Sequence, residues 1–567
     1  MAEVIIHADH HAAPGPERFV LTSGIRGLLL GGVALGVVCL LLAFLFDGGD
    51  PNNTRFWSNW LHNSVFFLGI GFMSLFLLAA KVLIYSGWHT VFKRVWEAYA
   101  EFLLVALILM VPVVVGVFLH WHHLYHWADP AAVADDELLQ SKSAFLNGWW
   151  YAGAALVVVA VWYFAFAIPM RRNSLEEDRL GTVAYAQHRR NRLTAGIFLP
   201  IAAFSSAAVI WQLVMSVDAH WYSTLFAWYA TASWLVATVG LTIVLLIFLK
   251  SLGYFGEVTA EHLHDLGKYM FAFSIFWTYL WFSQFMLIWY GNVGEETVYF
   301  QTRMSEFPVL FWANLVLNFL LPFFVLMPNV TKRKYGPLAF VAIMVVFGHW
   351  LDYFQMLKPG ILETAVHAMH GYEDHDSGDN AFSVTGDQHT GLSTTEYQAG
   401  DAVSGAAGRT GYDGDEDNSV LTGEAFDGDQ SHVADLEDED ALLPDSADEN
   451  TVEVVHDAGD SHGTHDRSAH DDENHAAAAG AGHDALAEGD HSAPGHADGG
   501  HAGDEHVGAA HGEAPVMAGF HIPGLIEIGT FLGFLSLFFL VALNALAKAN
   551  LVPRNDPYLE ESLHHHV

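Results

Sequence analysis

HLHDLGKYMFAFSIFWTYLWFSQFMLIWYGNVGEET, residues 262–297, is long and apolar enough to cross a bilayer as one helix. Within it sit Tyr279, Ser283, Gln284 and Tyr290, and histidine, aspartate and glutamate crowd its two ends. At helical spacing Phe276, Tyr279, Ser283, Leu287 and Tyr290 share one face, with Gln284 beside them. A helix that only anchors in lipid needs none of these groups. Polar side chains at membrane depth face a protein interior, a cavity or a neighbouring helix. The stretch therefore places the work of this chain in a membrane.

Outward from it, ten apolar runs of about 20 residues or more recur. They lie at roughly 27–46, 58–86, 94–120, 146–170, 193–217, 224–249, 268–291, 307–328, 336–357 and 523–547. Spans 2 and 6 read alike: WLHNSVFF leads into one and DAHWYSTLF into the other, and they exit through KVLIYSG and LKSLGYFG. Spans 5 and 9 both follow basic clusters, HRRNR and TKRK. The expected fold is an all-α polytopic membrane protein of ten transmembrane helices. Spans 2–5 and 6–9 form two four-helix bundles, with spans 1 and 10 flanking and a long acidic loop between spans 9 and 10. The divisions are an N-terminal segment 1–26, spans 1–9 over 27–360, the loop 371–515, span 10 at 523–547 and a tail 548–567.

Basic residues orient the spans. Arg18, Arg26, Lys93, Arg94, Arg171, Arg172, Arg179, Arg189, Arg190, Arg192, Lys250, Lys268, Lys332, Arg333, Lys334, Lys548 and Arg554 fall on one side. The other side holds Arg55, Lys142, Arg303 and Lys358 besides the loop. By the positive-inside rule both termini are cytoplasmic and the loop is outside. That loop carries 36 Asp and Glu against Arg409 and Arg467, so 34 of the 39 excess negative charges of the chain sit there. With few branched or aromatic residues it cannot bury enough apolar surface to offset ordering, so disorder and a solvated role are expected. A basic soluble partner is the alternative use for its charge.

One cysteine, Cys39, excludes an intrachain disulfide and an iron–sulfur cluster, which takes about four thiolates. No CxxCH haem attachment signature occurs. Any electron carrier served here is a diffusible quinone, a non-covalent cofactor or a partner subunit. The start, MAEVIIHADHHAAPGPERF, lacks the basic opening and cleavage site of a signal peptide, so span 1 reads as a retained helix. The run HWHHLYHW from His120 invites a haem or metal reading. Its histidines sit at a membrane edge, however, and bis-histidine haem needs imidazoles facing each other from two helices. No metal and no haem of its own is the expectation.

Ionisable groups collect in the outer half of spans 6–9. Asp218 and His220 lie in the turn before span 6, and His349 and Asp352 form an i, i+3 pair on span 9. Span 8 adds Asn314 and Asn318, and span 7 adds Ser283, Gln284 and Tyr290. A carboxylate beside an imidazole can pass a proton, and a charge within a span is costly enough to need a reason. These residues are expected to line one polar cavity that serves as a proton pathway or a quinone site. On the inner side Glu97, Glu101, His264, Asp265 and Lys268 either gather protons or are solvated helix ends. No residue is assigned a catalytic role, and nothing points to nucleic acid.

MSVDAHWYSTLFAWY, the span 7 stretch quoted above and the ten-span plan together resemble the membrane subunits of alternative complex III, within the polysulfide-reductase membrane-subunit (NrfD-like) family. The resemblance covers about residues 20–360 and the last span; the acidic loop departs from it. It implies a subunit of a bacterial inner-membrane quinol:electron-acceptor oxidoreductase. The implied partners are a sibling ten-span subunit, an iron–sulfur protein and multihaem cytochrome c subunits. Haem c and iron–sulfur clusters would belong to those partners, with menaquinol oxidised near the outer surface. A stand-alone secondary transporter is the competing function. Against it, no pair of Gly/Pro-interrupted spans at matching positions of the two repeats marks a mid-membrane site.

The charge asymmetry yields a direct test. Protease added to intact spheroplasts should cut within 371–515 and spare both ends. Cleavage that requires opening the inner face would reverse the orientation.

Overall fold

The computed structural model describes residues 17–46, 50, 52–183, 185–376 and 519–565. Among the described residues there are helices and turns and no strand beyond a single antiparallel bridge between Arg18 and Asn550. Among the described residues ten helices are long and apolar enough to cross a membrane, and the chain is a multi-pass membrane protein. They are α1 (Ser23–Leu45), α2 (Thr54–Leu83), α3 (Thr90–Leu119), α4 (Gly148–Arg179), α5 (Tyr185–Val217), α6 (Thr224–Ser251), α7 (Ala260–Gly291), α8 (Pro308–Leu326), α9 (Tyr335–Asp376) and α10 (Leu525–Leu546). Several begin or end well beyond the apolar runs. Hydropathy marks the lipid layer, whereas a helix continues as long as its backbone is bonded and capped. Helix α7 starts at Ala260 because the Thr259 N–H donates to His262 Nδ1 at 3.1 Å in a capping box. Helix α9 continues through 371–376, the first residues expected in the loop; 377–515 lie outside the described residues.

The two expected bundles are present. Helix α2 packs on α3 and α5, and α4 closes against α3 and α5; α6 packs on α7 and α9, and α8 closes against α7 and α9. The lead helices α2 and α6 also pack on each other, and these two are the most deeply buried of the ten. The repeat extends to a local distortion. In α4 a π-helical stretch, Val161–Ala167, ends two residues before Pro169, and in α8 Val316–Leu320 ends two residues before Pro322. Proline has no N–H for the carbonyl four residues back and its ring crowds that carbonyl. A π turn lets the carbonyl reach the next N–H along instead.

Helices α1 and α10 flank the bundles as an antiparallel pair built on small residues. A Cβ on Gly36 would fall 2.5 Å from the Gly533 Cα, and one on Gly32 would meet the Ser536 side chain. Such stripes let backbones approach where lipid offers no hydrophobic drive to association.

The first described residues meet the segment after α10, where the Leu551 N–H donates to the Glu17 carbonyl at 2.8 Å. The tail is docked there: Ser562 Oγ donates to the Trp88 carbonyl at 2.7 Å, and Asp556 pairs with buried Lys93. On the opposite face Glu527, fully buried at the start of α10, accepts Arg55 Nε at 2.8 Å and Asn59 Nδ2 at 3.2 Å. Lys358 of α9 donates to Ser58 Oγ at 2.7 Å and Asn59 Oδ1 at 2.9 Å, so α2, α9 and α10 share one polar knot.

The close approach of the two bundles predicts a sharp contrast between neighbouring glycines. A Cβ at Gly69 would lie 1.9 Å from the Trp234 indole, whereas one at Gly71 meets Leu103 and the Tyr99 carbonyl at an ordinary 3.4 Å. Gly69→Ala should cost about 1–3 kcal/mol of stability by overpacking. Gly71→Ala should leave the thermal midpoint of the detergent-solubilised protein nearly unchanged.

Candidate functional site

The polar residues of the second bundle converge on Asp352, which is wholly buried. Its Oδ1 accepts Asn314 Nδ2 of α8 at 2.6 Å and also the Tyr229 hydroxyl of α6; its Oδ2 accepts Trp277 Nε1 of α7 at 2.9 Å. Donors from three helices thus meet a carboxylate on the fourth. One turn away on α9, His349 places Nδ1 3.9 Å from Asp352 Oδ2 and 2.9 Å from Ser233 Oγ, while its Nε2 has no hydrogen-bond partner among the described residues. Asn318, in the π-helical stretch of α8, donates to Asn314 Oδ1 at 2.5 Å. Helical periodicity sets these pairs: 229 with 233, 314 with 318 and 349 with 352 each stack on one face.

Next to Tyr229, the hydroxyl partner of Asp352, a narrow gap extends to Arg303. It is lined by Tyr229, Gln284, Tyr299, Arg303 and Gln355, and Gln284 Nε2 has no partner there among the described residues. Arg303, on the short helix Gly294–Ser305, closes the gap with its side chain 3% exposed. Its guanidinium stacks 3.4 Å over the Tyr299 ring and its Nη2 donates to Asp218 Oδ2 at 2.9 Å. Beyond lies an open cavity of about 320 Å³ lined by Asp218, His126, His220, Glu295, Glu363 and His367 among others. Burial pushes the Asp218 carboxyl above the usual carboxylate range, against the pull of Arg303. Burial and the neighbouring imidazoles of His220 and His367 hold His126 below the ordinary histidine value.

The expected single cavity is therefore divided. His349 and Asp352 form the deep cluster, Gln284 lines the gap, and Asp218 faces the outer cavity. His220 lines the exposed rim of that same cavity, with Nε2 2.5 Å from Asp136 Oδ2. Ser283 is half-buried and Tyr290 is 85% exposed, so neither joins the site. Helix α7 is rotated relative to the sequence reading. Trp277, Trp281, Gln284 and Ile288 face inward, and Phe276, Tyr279, Leu287 and Tyr290 face outward. The inward tryptophans bury more area than the tyrosines would, and Trp277 brings a donor for Asp352. The outward tyrosines suit a lipid boundary, where amphipathic rings are at home.

The inner candidates fall into two separate groups. Glu97 accepts Arg94 Nη1 at 2.6 Å, and Glu101 accepts the Tyr163 hydroxyl at 3.0 Å beside Arg171 at 3.1 Å. Asp265 pairs with Lys268 at 2.7 Å and with His565 at 2.8 Å, and His264 is buried next to it at 3.8 Å. These are mostly paired charges rather than free, solvated ends. Tyr229, Ser233, Trp277, Gln355 and Arg303 were not read as site residues. The i, i+4 pair Tyr229 and Ser233 in span 6 was the available signal; Trp277 was hidden because tryptophan reads as apolar.

The Asp218–Arg303 pair carries its own prediction. Arg303→Ala leaves the Asp218 carboxylate, 12% exposed, without its cation and should cost about 1–3 kcal/mol. Protonation neutralises that carboxylate. Because the folded pKa of Asp218 lies above the unfolded one, its ionisation subtracts stability as pH rises between the two. The variant should therefore regain thermal stability on acidification, and Asp218→Asn/Arg303→Met should lose that pH dependence. No family model and no curated protein matches the chain.

Proposed function

We propose that this chain is an integral membrane subunit of a bacterial respiratory quinol:electron-acceptor oxidoreductase of the alternative complex III type, and that bundle α6–α9 carries protons between the outer cavity and Asp352. Both termini are then cytoplasmic and the cavity of Asp218 is extracytoplasmic, a reading the distribution of arginine and lysine supports. Electron transfer is assigned to partners: an iron–sulfur protein, multihaem cytochrome c subunits and a sibling ten-span subunit. The family part of this reading rests on the motifs of spans 5–7.

One observation carries the proton part. Asp352 lies within a span, wholly buried, next to an imidazole and at the end of a polar line from an open cavity. A carboxylate in that position can take a proton delivered by water entering past Arg303, and His349 can accept it one turn further in. Hydrogen bonds from Tyr229, Asn314 and Trp277 hold the acceptor oxygens in place between transfers. A quinone site is less well supported. An apolar groove of about 180 Å³ between Phe72, Phe76, Trp228 and Phe276 has Ser206 and Thr231 as its polar lining. It suits an acyl or isoprenoid chain rather than a quinone head that must exchange protons.

Asp352→Asn keeps the side-chain outline and removes the titratable group. The variant should assemble with its partner subunits while turnover or proton yield falls about tenfold or more, in the range usual for a removed proton-transfer group. Normal turnover and proton yield in a correctly assembled variant would reduce Asp352 to a packing residue. A chain that purifies alone and takes up substrate would instead support the transporter reading.

A further inference from the structure

Above the outer cavity, three side chains from separate loops meet in a way the sequence did not foreshadow. His126 comes from the loop between α3 and α4, Asp136 from the start of the short helix Glu137–Lys142, and His220 from the α5–α6 turn. One donor atom from each lies within 4.8 Å of the other two. The His126 ring is 5.7 Å from that of His220 and 6.0 Å from that of His367 at the far end of α9. We infer that His126, Asp136 and His220 form a transition-metal site for Zn²⁺ or a similar borderline cation, with His367 or water as the fourth ligand.

The chemistry of the donors narrows the ion. Imidazole nitrogens and one carboxylate oxygen suit Zn²⁺ and its neighbours, whereas Mg²⁺ and Ca²⁺ prefer oxygen ligands throughout. The geometry is partly built. Asp136 Oδ1 is fixed as a helix cap by the N–H groups of Leu138 at 2.8 Å and Leu139 at 3.0 Å, which leaves Oδ2 to point at His220. The same short helix holds the other strand of the site. Lys142 Nζ donates to the carbonyls of Ala219 at 2.9 Å and His220 at 3.0 Å, clamping the α5–α6 turn beneath it. Bonds of about 2.0–2.2 Å to a tetrahedral ion put ligand atoms about 3.3–3.5 Å apart. The three donor atoms already lie within 4.8 Å of one another, with His220 Nε2 2.5 Å from Asp136 Oδ2. These histidines lie at a membrane edge, and that edge is where the three loops converge. A bound ion would staple the loop of the first bundle to the turn that leads into the second, at the mouth of the Asp218 cavity.

The test uses the full chain in detergent, stripped with chelator and titrated with Zn²⁺ while its thermal midpoint is followed. A ligand that binds only the folded state raises the midpoint with concentration. Zn²⁺ should raise it by several degrees, and Mg²⁺ should not. His220→Ala, at an exposed position, and Asp136→Asn, which keeps the helix cap, should match the parent without metal. Both should lose the zinc-dependent rise and bind that equivalent about tenfold or more weakly. Zinc held by the many histidines of 371–515 would persist in both variants. A rise of equal size in parent and variants, or no rise in the parent, overturns the site.

Discussion

Asp352 and the three donors around it are the constraint on which the second bundle depends. Removing a carboxylate from water costs several kcal/mol even after relaxation, and lipid offers nothing to offset it. Hydrogen bonds to a charged acceptor contribute about 1.5–3 kcal/mol each, so the set from Tyr229, Trp277 and Asn314 is of the right size to hold the group. Because those donors come from α6, α7 and α8, the same contacts fix the rotation of every helix in the bundle. Trp277 must face inward to serve Asp352, and that turns Tyr279 and Tyr290 outward.

The remaining polar architecture extends from that point in one direction. Gln284, Arg303 and Asp218 form a line from a buried cluster to an open cavity, while the terminal face is closed by paired charges such as Arg94 with Glu97 and Lys93 with Asp556. The first bundle has the same helix order and the same proline-linked π turn, yet its polar residues serve to join helices. Glu527, Asn59 and Lys358 tie α2 to α9 and α10. Two bundles of one design have thus been given different interiors.

What the sequence made legible follows from the physics of each feature. The ten spans, the two bundles and the pairs His349–Asp352 and Asn314–Asn318 were readable because span length and helical period are local properties. The rotation of α7 was not, since tryptophan carries its donor inside an apolar ring and the tyrosines looked like the polar face. The partners of Asp218, His220 and Glu527 were out of reach for another reason. Arg303, Asp136 and Arg55 lie far along the chain and meet them only through tertiary packing. Span limits were underestimated where caps and ion pairs carry a helix past the lipid, as at Thr259 and through Arg179.

The central claim is that the Asp352 carboxyl exchanges protons with the cavity side of the membrane. Infrared difference spectroscopy of the purified protein across a pH titration addresses it most directly. The account predicts a carboxylic-acid carbonyl band that grows on acidification, shifts promptly in D₂O and is missing from Asp352→Asn. A band that persists in that variant, or a titration with no carboxyl signal that depends on Asp352, would contradict it.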